Sequence, residues 1–208
     1  MHGMSNLRIC LRAPVPALQV AAALLDRAAT AHVEGNRALA AALIVQANMS
    51  DVREWTESLW GAKSPYAPKL RKLSDAAPRE NERMPNRFVQ SQLHTRDGFN
   101  CRYCGVPVIR KVVREYFRKS YPELALWGRR NIEQHAAFQA MWAQYDHVVP
   151  HSTGGKNELG NIIVTCAPCN FAKMDFTLED CGLMDPRLRD PCASSWDGLE
   201  QVLKHATH

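Results

Sequence analysis

Tyr145-Asp146-His147-Val148-Val149-Pro150-His151-Ser152-Thr153-Gly154-Gly155 and, a little further on, Asn161-Ile162-Ile163-Val164-Thr165-Cys166-Ala167-Pro168-Cys169-Asn170 decide the fold of this chain. Tyr145 to Val149 and Ile162 to Thr165 are short and rich in β-branched residues, so each predicts a strand. Gly154-Gly155 supplies a turn between them, and Ala167 to Thr177 has helical character. The order is strand, loop, strand, helix. If the strands pair antiparallel, a carboxylate and an imidazole sit at a strand end facing the first turn of the helix.

Cys166 and Cys169 form one Cys-x-x-Cys pair, and Cys101-Arg102-Tyr103-Cys104 forms another. Each pair places its thiolates close enough to share an ion, and together they complete the tetrahedral sulfur set that zinc favours. The pairs are farther apart than in a short zinc finger, so spacing alone leaves a shared ion undecided. A redox motif is the competing reading, but neither pair lies in the parallel strand-helix-strand pattern that such a motif needs. Four thiolates leave zinc no open position for water, which makes this metal structural. Cys10, Cys181 and Cys192 read as ordinary thiols. An odd total of 7 cysteines, four of them in these pairs, argues against a disulfide framework and for a reducing cytoplasm.

Upstream, Pro16 to Gly61 is rich in Ala and Leu and reads as helices, broken at Gly35-Asn36 and again at Asn48 to Asp51. Leu39, Ala42, Leu43 and Val45 are candidate core. Lys63 to Asn86 carries four prolines among basic and polar residues and reads as a linker. Phe88 to Leu93 predicts a short helix. Between Val108 and Met141, apolar residues alternate with basic ones in the manner of amphipathic helices. The expected organisation is a helical region at 1–62, a basic Pro-containing linker at 63–87, a module at 88–180 with a helical insertion at 108–141, and an acidic tail at 181–208. The fold class is therefore α+β.

A hydrophobic content of 46% in 208 residues suits a chain that buries a real core. The net charge of +5 is modest, but it is concentrated centrally: Arg102 to Arg130 is strongly basic, and the sign reverses after Lys173. Arg8 and Arg12 before the run Ala17 to Leu25 superficially resemble an export signal. Gln19, Pro14, Pro16 and the continuation through Asp26 and Arg27 argue against one. No run approaches the length of a membrane span.

Arg96-Asp97-Gly98-Phe99, Cys101-x-x-Cys104, Asp146-His147-x-x-Pro150, Gly154-Gly155, Asn161, Cys166-x-x-Cys169-Asn170 and Lys173 together resemble the HNH nuclease family, the ββα-metal nucleases. The resemblance implies a zinc-stapled ββα module that hydrolyses phosphodiester bonds in DNA. It implies His147 as general base, Asp146 and Asn170 as ligands of a catalytic magnesium or manganese ion, and Asn161 as the residue holding the loop. The motif's third position is Asn170 rather than His. The long insertion between Cys104 and Asp146 departs from the family pattern.

The chemistry agrees with that assignment. An imidazole with pKa near neutrality can take a proton from water, and a hard cation on oxygen ligands stabilises charge on the phosphoryl group. Taken singly, Asp146 is equally a turn acid and Asn170 a helix cap. Lys173 and His151 are phosphate contacts or solvated surface. Arg110, Lys111, Arg114 and Arg118 recur at helical spacing and predict a positive ridge for the DNA backbone, with Val112, Val113 and Phe117 turned toward the module. A zinc-bound DNA-binding module without catalysis would not need the Asp146, His147 and Asn170 set. A nuclease effector whose N-terminal half docks a partner protein is the third possibility.

Overall fold

The computed structural model describes residues 7–60 and 84–205. Most of the expected linker, with Lys63 and its following basic residues up to Arg83, lies outside the described residues. The fold is mixed α+β, with helices α1 (Ala17–Val33), α2 (Arg37–Ala47) and α3 (Ser50–Leu59) preceding α4 (Arg87–Asp97). Then come α5 (Lys111–Ser120), α6 (Ala136–Ala140), strand β1 (Ala143–His147), strand β2 (Ile162–Cys166) and α7 (Ala167–Lys173). Short helices α8 (Leu178–Cys181) and α9 (Gln201–Lys204) follow. Among the described residues no helix is long and apolar enough to cross a membrane.

The N-terminal breaks fall where the sequence places them. Gly35 adopts a positive φ of 82°, which ends α1 at little steric cost, and the Asn36 side chain caps α2 by accepting from the Leu39 amide at 3.1 Å. Asn48 does something the local sequence does not show: its Oδ1 accepts from the Ala136 amide at 2.8 Å, tying the α2–α3 junction to the start of α6. Leu43 is core as expected, whereas Leu39, Ala42 and Val45 are exposed.

The strands pair antiparallel, Ala143 opposite Cys166 and His147 opposite Ile162, with β1 starting earlier than the expected Tyr145. Helix α7 stops at Lys173, short of Thr177. Helix α4 is longer than the expected Phe88 to Leu93, and its last turn carries the Arg96-Asp97 pair to β2. Asp97 Oδ2 accepts from the Val164 amide at 3.0 Å, and Arg96 donates to the Ile162 carbonyl at 2.6 Å. These bonds satisfy the outer edge of β2, which would otherwise present unpaired backbone groups.

The 108–141 insertion is a joint between the N-terminal helices and the module. Arg53 on α3 donates to the carbonyls of Asn131 and Gln134, and Arg37 on α2 to that of Ser120. His32 on α1 lies between the hydroxyls of Tyr116 and Tyr121, 2.8 Å from each. The acidic tail is also packed rather than loose: Leu199 and Val202 are buried, and Trp196 donates to the Val108 carbonyl at 2.9 Å. One continuous apolar core therefore runs from Leu11 to Val202.

His135, fully buried at this joint, donates from Nε2 to the Ile44 carbonyl at 2.8 Å and accepts from the Phe138 amide at Nδ1. Only the neutral ring can do both, because a proton on Nδ1 would face an N–H donor. Burial pushes its pKa down to about 4, with the Arg53 charge adding to the effect against the raising influence of the Ile44 carbonyl. Between pH 6.5 and 4 the unfolded chain thus binds a proton that the folded chain refuses, so stability falls as pH falls through that window and is fully retained above it. The loss at the bottom of the window is roughly 3 kcal/mol. Thermal melts across this range are expected to show a steeper pH dependence for the wild type than for His135→Gln. Equal slopes would contradict the assignment.

Candidate active site and cysteine cluster

Asp146 and His147 end β1, and the loop that follows is fixed chiefly by one side chain. Asn161, almost fully buried, accepts from the Val149 amide at 2.8 Å through Oδ1 and donates to the carbonyls of Val149 and Lys156, both at 3.0 Å, through Nδ2. Its own carbonyl accepts from the Val148 amide. Three satisfied groups on one amide make a rigid staple across the loop. Gly155 is required beside it, because a Cβ there would lie 1.9 Å from the Val149 carbonyl oxygen. The loop turns back through a 3-10 segment, His151–Thr153, which sets the His151 ring 5.8 Å from that of His147.

Asp146, His147, His151 and Asn170 all line one cleft of about 480 Å³, so the fold brings together the four residues expected there from sequence. Phe171 and Met174 of α7 and its end, and Met84 ahead of α4, form an apolar part of the wall.

Lys173 is placed elsewhere than expected. It is fully buried, and its Nζ donates to the His147 carbonyl at 2.9 Å and reaches Asp146 Oδ2 at 3.1 Å and Oδ1 at 3.3 Å. An ammonium enclosed in this way is a counter-ion to Asp146, not a contact for phosphate in solution. The Tyr103 hydroxyl adds a bond of 2.8 Å to Asp146 Oδ2. Burial raises the pKa of Asp146, while Lys173 and Tyr103 pull it back by stabilising the carboxylate.

The ligand atoms of Cys101, Cys104, Cys166 and Cys169 all lie within 4.8 Å of one another. Zinc bound at ~2.3 Å to each sulfur of a tetrahedron would space the sulfurs by roughly 3.8 Å, and Cys104 and Cys166 stand 3.6 Å apart. The cluster therefore fits a single zinc ion. Burial pushes the Cys104 thiol well up, so without a cation to compensate them these sulfurs would not all ionise.

The expected basic ridge is not built. Arg114 is 3% exposed, its guanidinium lying 3.6 Å over the Trp127 ring and 4.6 Å from the Trp142 ring. Arg110 is paired in bidentate fashion with Glu200, and Arg118 with Glu115 at 2.7 Å. Lys111 is exposed. Val113 and Phe117 are buried as expected, whereas Val112 is exposed. Helical spacing placed these charges correctly along α5, but tertiary packing turned Arg114 inward onto two indoles, where cation–π contact replaces its hydration.

Tyr103 is the site residue that sequence reasoning passed over. Its signal was a polar aromatic between the two cysteines of one pair, but nothing local indicates that this turn lies against β1.

A family model described as HNH endonuclease matches residues 136–182, which cover α6, both strands, the intervening loop, α7 and α8. The matched segment, 47 of the 208 residues, is similar to HNH endonucleases. Neither the search of curated proteins nor that of solved structures gave a match.

The cysteine cluster makes a direct expectation. The purified protein should carry one zinc per chain, and Cys104→Ser or Cys166→Ser should lose it along with cooperative thermal unfolding, as read by elemental analysis and calorimetry. Well-folded protein without zinc would contradict the assignment.

Proposed function

We propose that the protein is a metal-dependent DNA endonuclease hydrolysing phosphodiester bonds, with zinc in the cysteine cluster as a structural ion. The observation that carries this reading is the meeting of Asp146, His147 and Asn170 in one cleft within the segment that matches the HNH endonuclease model.

His147 is the general base. Its imidazole accepts the proton of the attacking water, the part a side-chain base plays in hydrolysis. The backbone beneath it is pinned by Lys173 at its own carbonyl and by Asn161 across the loop, so the ring is carried on a stiff support. Position matters here, since proton transfer needs the base within hydrogen-bonding reach of the water.

Asp146 and the amide oxygen of Asn170 are hard oxygen donors lining the same cleft, a set that suits magnesium or manganese better than a soft-ligand metal. When bound, such an ion stabilises the negative charge that develops on the phosphoryl and leaving oxygens. Asn170 is the neutral partner of the set, so the ligand pair itself brings one carboxylate charge, with Asp175 as a second acid on the cleft wall. His151 lies next to His147 and is assigned to the phosphate backbone, and of the four basic residues expected to form the ridge, Lys111 is the exposed one.

Incubation with supercoiled and linear DNA in the presence of magnesium or manganese should yield nicked or shortened products, and chelation of the divalent ion should stop the reaction. His147→Ala is expected to lower the rate by about two to four orders of magnitude. Zinc content and melting temperature should stay near wild type. A variant that cuts at the wild-type rate would remove His147 from the role.

A further inference from the structure

The turn between Cys101 and Cys104 does more than hold sulfur. Its Tyr103 ring is 1% exposed, and its hydroxyl crosses from the cysteine cluster to the carboxylate of Asp146 on β1. The backbone of the same turn is held from outside: the Arg189 guanidinium donates to the carbonyl of Tyr103 at 3.0 Å, and the Arg102 amide donates to the Val164 carbonyl at 2.9 Å. The phenol therefore projects from a turn fixed at both ends by cysteines and braced against β2.

Asp146 itself has little freedom. Oδ2 receives the Tyr103 hydroxyl at 2.8 Å and the Lys173 ammonium at 3.1 Å, whereas Oδ1 has a longer contact to Lys173 at 3.3 Å. Tyr103 and Lys173 approach from separate segments, one on the knuckle and one at the end of α7. Together they fix the plane of the carboxylate and leave Oδ1 the less committed oxygen. Outer partners of this kind set the orientation of a ligating carboxylate, and their removal typically costs about 10–100-fold in metal affinity or activity.

We propose that Tyr103 is a positioning residue for the catalytic divalent ion, coupling the four-cysteine cluster to the Asp146 carboxylate. The proposal rests on Asp146 being a ligand of that ion, as set out above. Closure of the cluster places the knuckle turn, the turn places the phenol, and the phenol sets the carboxylate. The structural site thereby determines the geometry of the catalytic one.

Tyr103→Phe isolates the effect, because it keeps the buried ring and removes one hydroxyl. The test is manganese binding to the zinc-loaded full chain, measured by calorimetry for wild type, Tyr103→Phe, Asp146→Ala and the double variant, with zinc content determined on each sample. The expected result is full zinc content in Tyr103→Phe with manganese affinity about 10-fold weaker. Adding Tyr103→Phe to Asp146→Ala should weaken binding no further, since the hydroxyl acts only through the carboxylate. Cleavage by Tyr103→Phe should need correspondingly more manganese for half-maximal rate.

Unchanged affinity in Tyr103→Phe, alongside lost affinity in Asp146→Ala, would overturn the coupling while leaving Asp146 as a ligand. Equal effects of Tyr103→Phe in the presence and absence of the Asp146 carboxylate would also overturn it. Zinc loss from Tyr103→Phe would assign the hydroxyl to the cluster and likewise overturn it. Wild-type affinity in Asp146→Ala would instead remove the ligand assignment, and with it both the catalytic reading and the coupling.

Discussion

A ribbon of two strands with five paired positions cannot stand alone in water, and everything proposed for the cleft depends on how this one is held. Its two ends are fixed by different chemistry. At the Ala143–Cys166 end, Cys166 belongs to the four-sulfur cluster, so an ion there would lock the ribbon to the Cys101 knuckle. At the His147–Ile162 end, Asn161 spans the loop with three hydrogen bonds. Along the flanks, Asp97 and the Arg102 amide bind Val164, while Ile109 exchanges backbone bonds with Met141 and Ala143. Asp146 and His147 stand at the pinned end, where a small slip of register would exchange the faces they occupy.

The legible part of the fold was the part written in local chemistry. Cysteine pairs at fixed spacing, a strand-forming run after a Gly-Gly turn, and an Asp-His dipeptide ahead of Pro150 each constrain their own neighbourhood, and the ribbon, the cluster and the cleft follow from them. Gly35 and Asn36 marked a helix break for the same reason, since a positive φ and a side-chain cap are properties of single positions. Asn161 was legible too, but only as a loop residue. Its three partners depend on how the loop folds back.

Charge misled where tertiary contacts pulled it inside. Lys173 and Arg114 look in sequence like groups that seek solvent, yet one is consumed by a buried carboxylate and the other by two indoles. Both choices have a physical logic. Asp146 would be costly to bury ionised without a cation within reach, and Lys173 sits on the helix that packs against its strand. Arg114 can lie on an aromatic face because its planar guanidinium is weakly hydrated, where a lysine ammonium would lose more. Asp146, Trp127 and Trp142 all lie on other parts of the fold, and Glu115, which pairs with Arg114 at 3.0 Å from the next position, gives no sign of the indoles.

The helical N-terminal region gains a role from the same packing. Helix α7 carries both Asn170 and Lys173, and Phe171 between them meets Trp60, just past α3, edge-on at 5.2 Å and Trp142 at 6.0 Å. Edge-to-face contacts of this kind favour particular relative orientations as well as burying apolar area. The N-terminal helices thus press on the helix that carries Asn170 and the counter-ion of Asp146. Arg53, Asn48 and His135 tie the same helices to the insertion that leads into β1. The cleft is therefore supported from the cysteine cluster on one side and from the N-terminal helices on the other. An insertion that would be superfluous to a minimal strand-loop-strand-helix unit serves here to join those two supports.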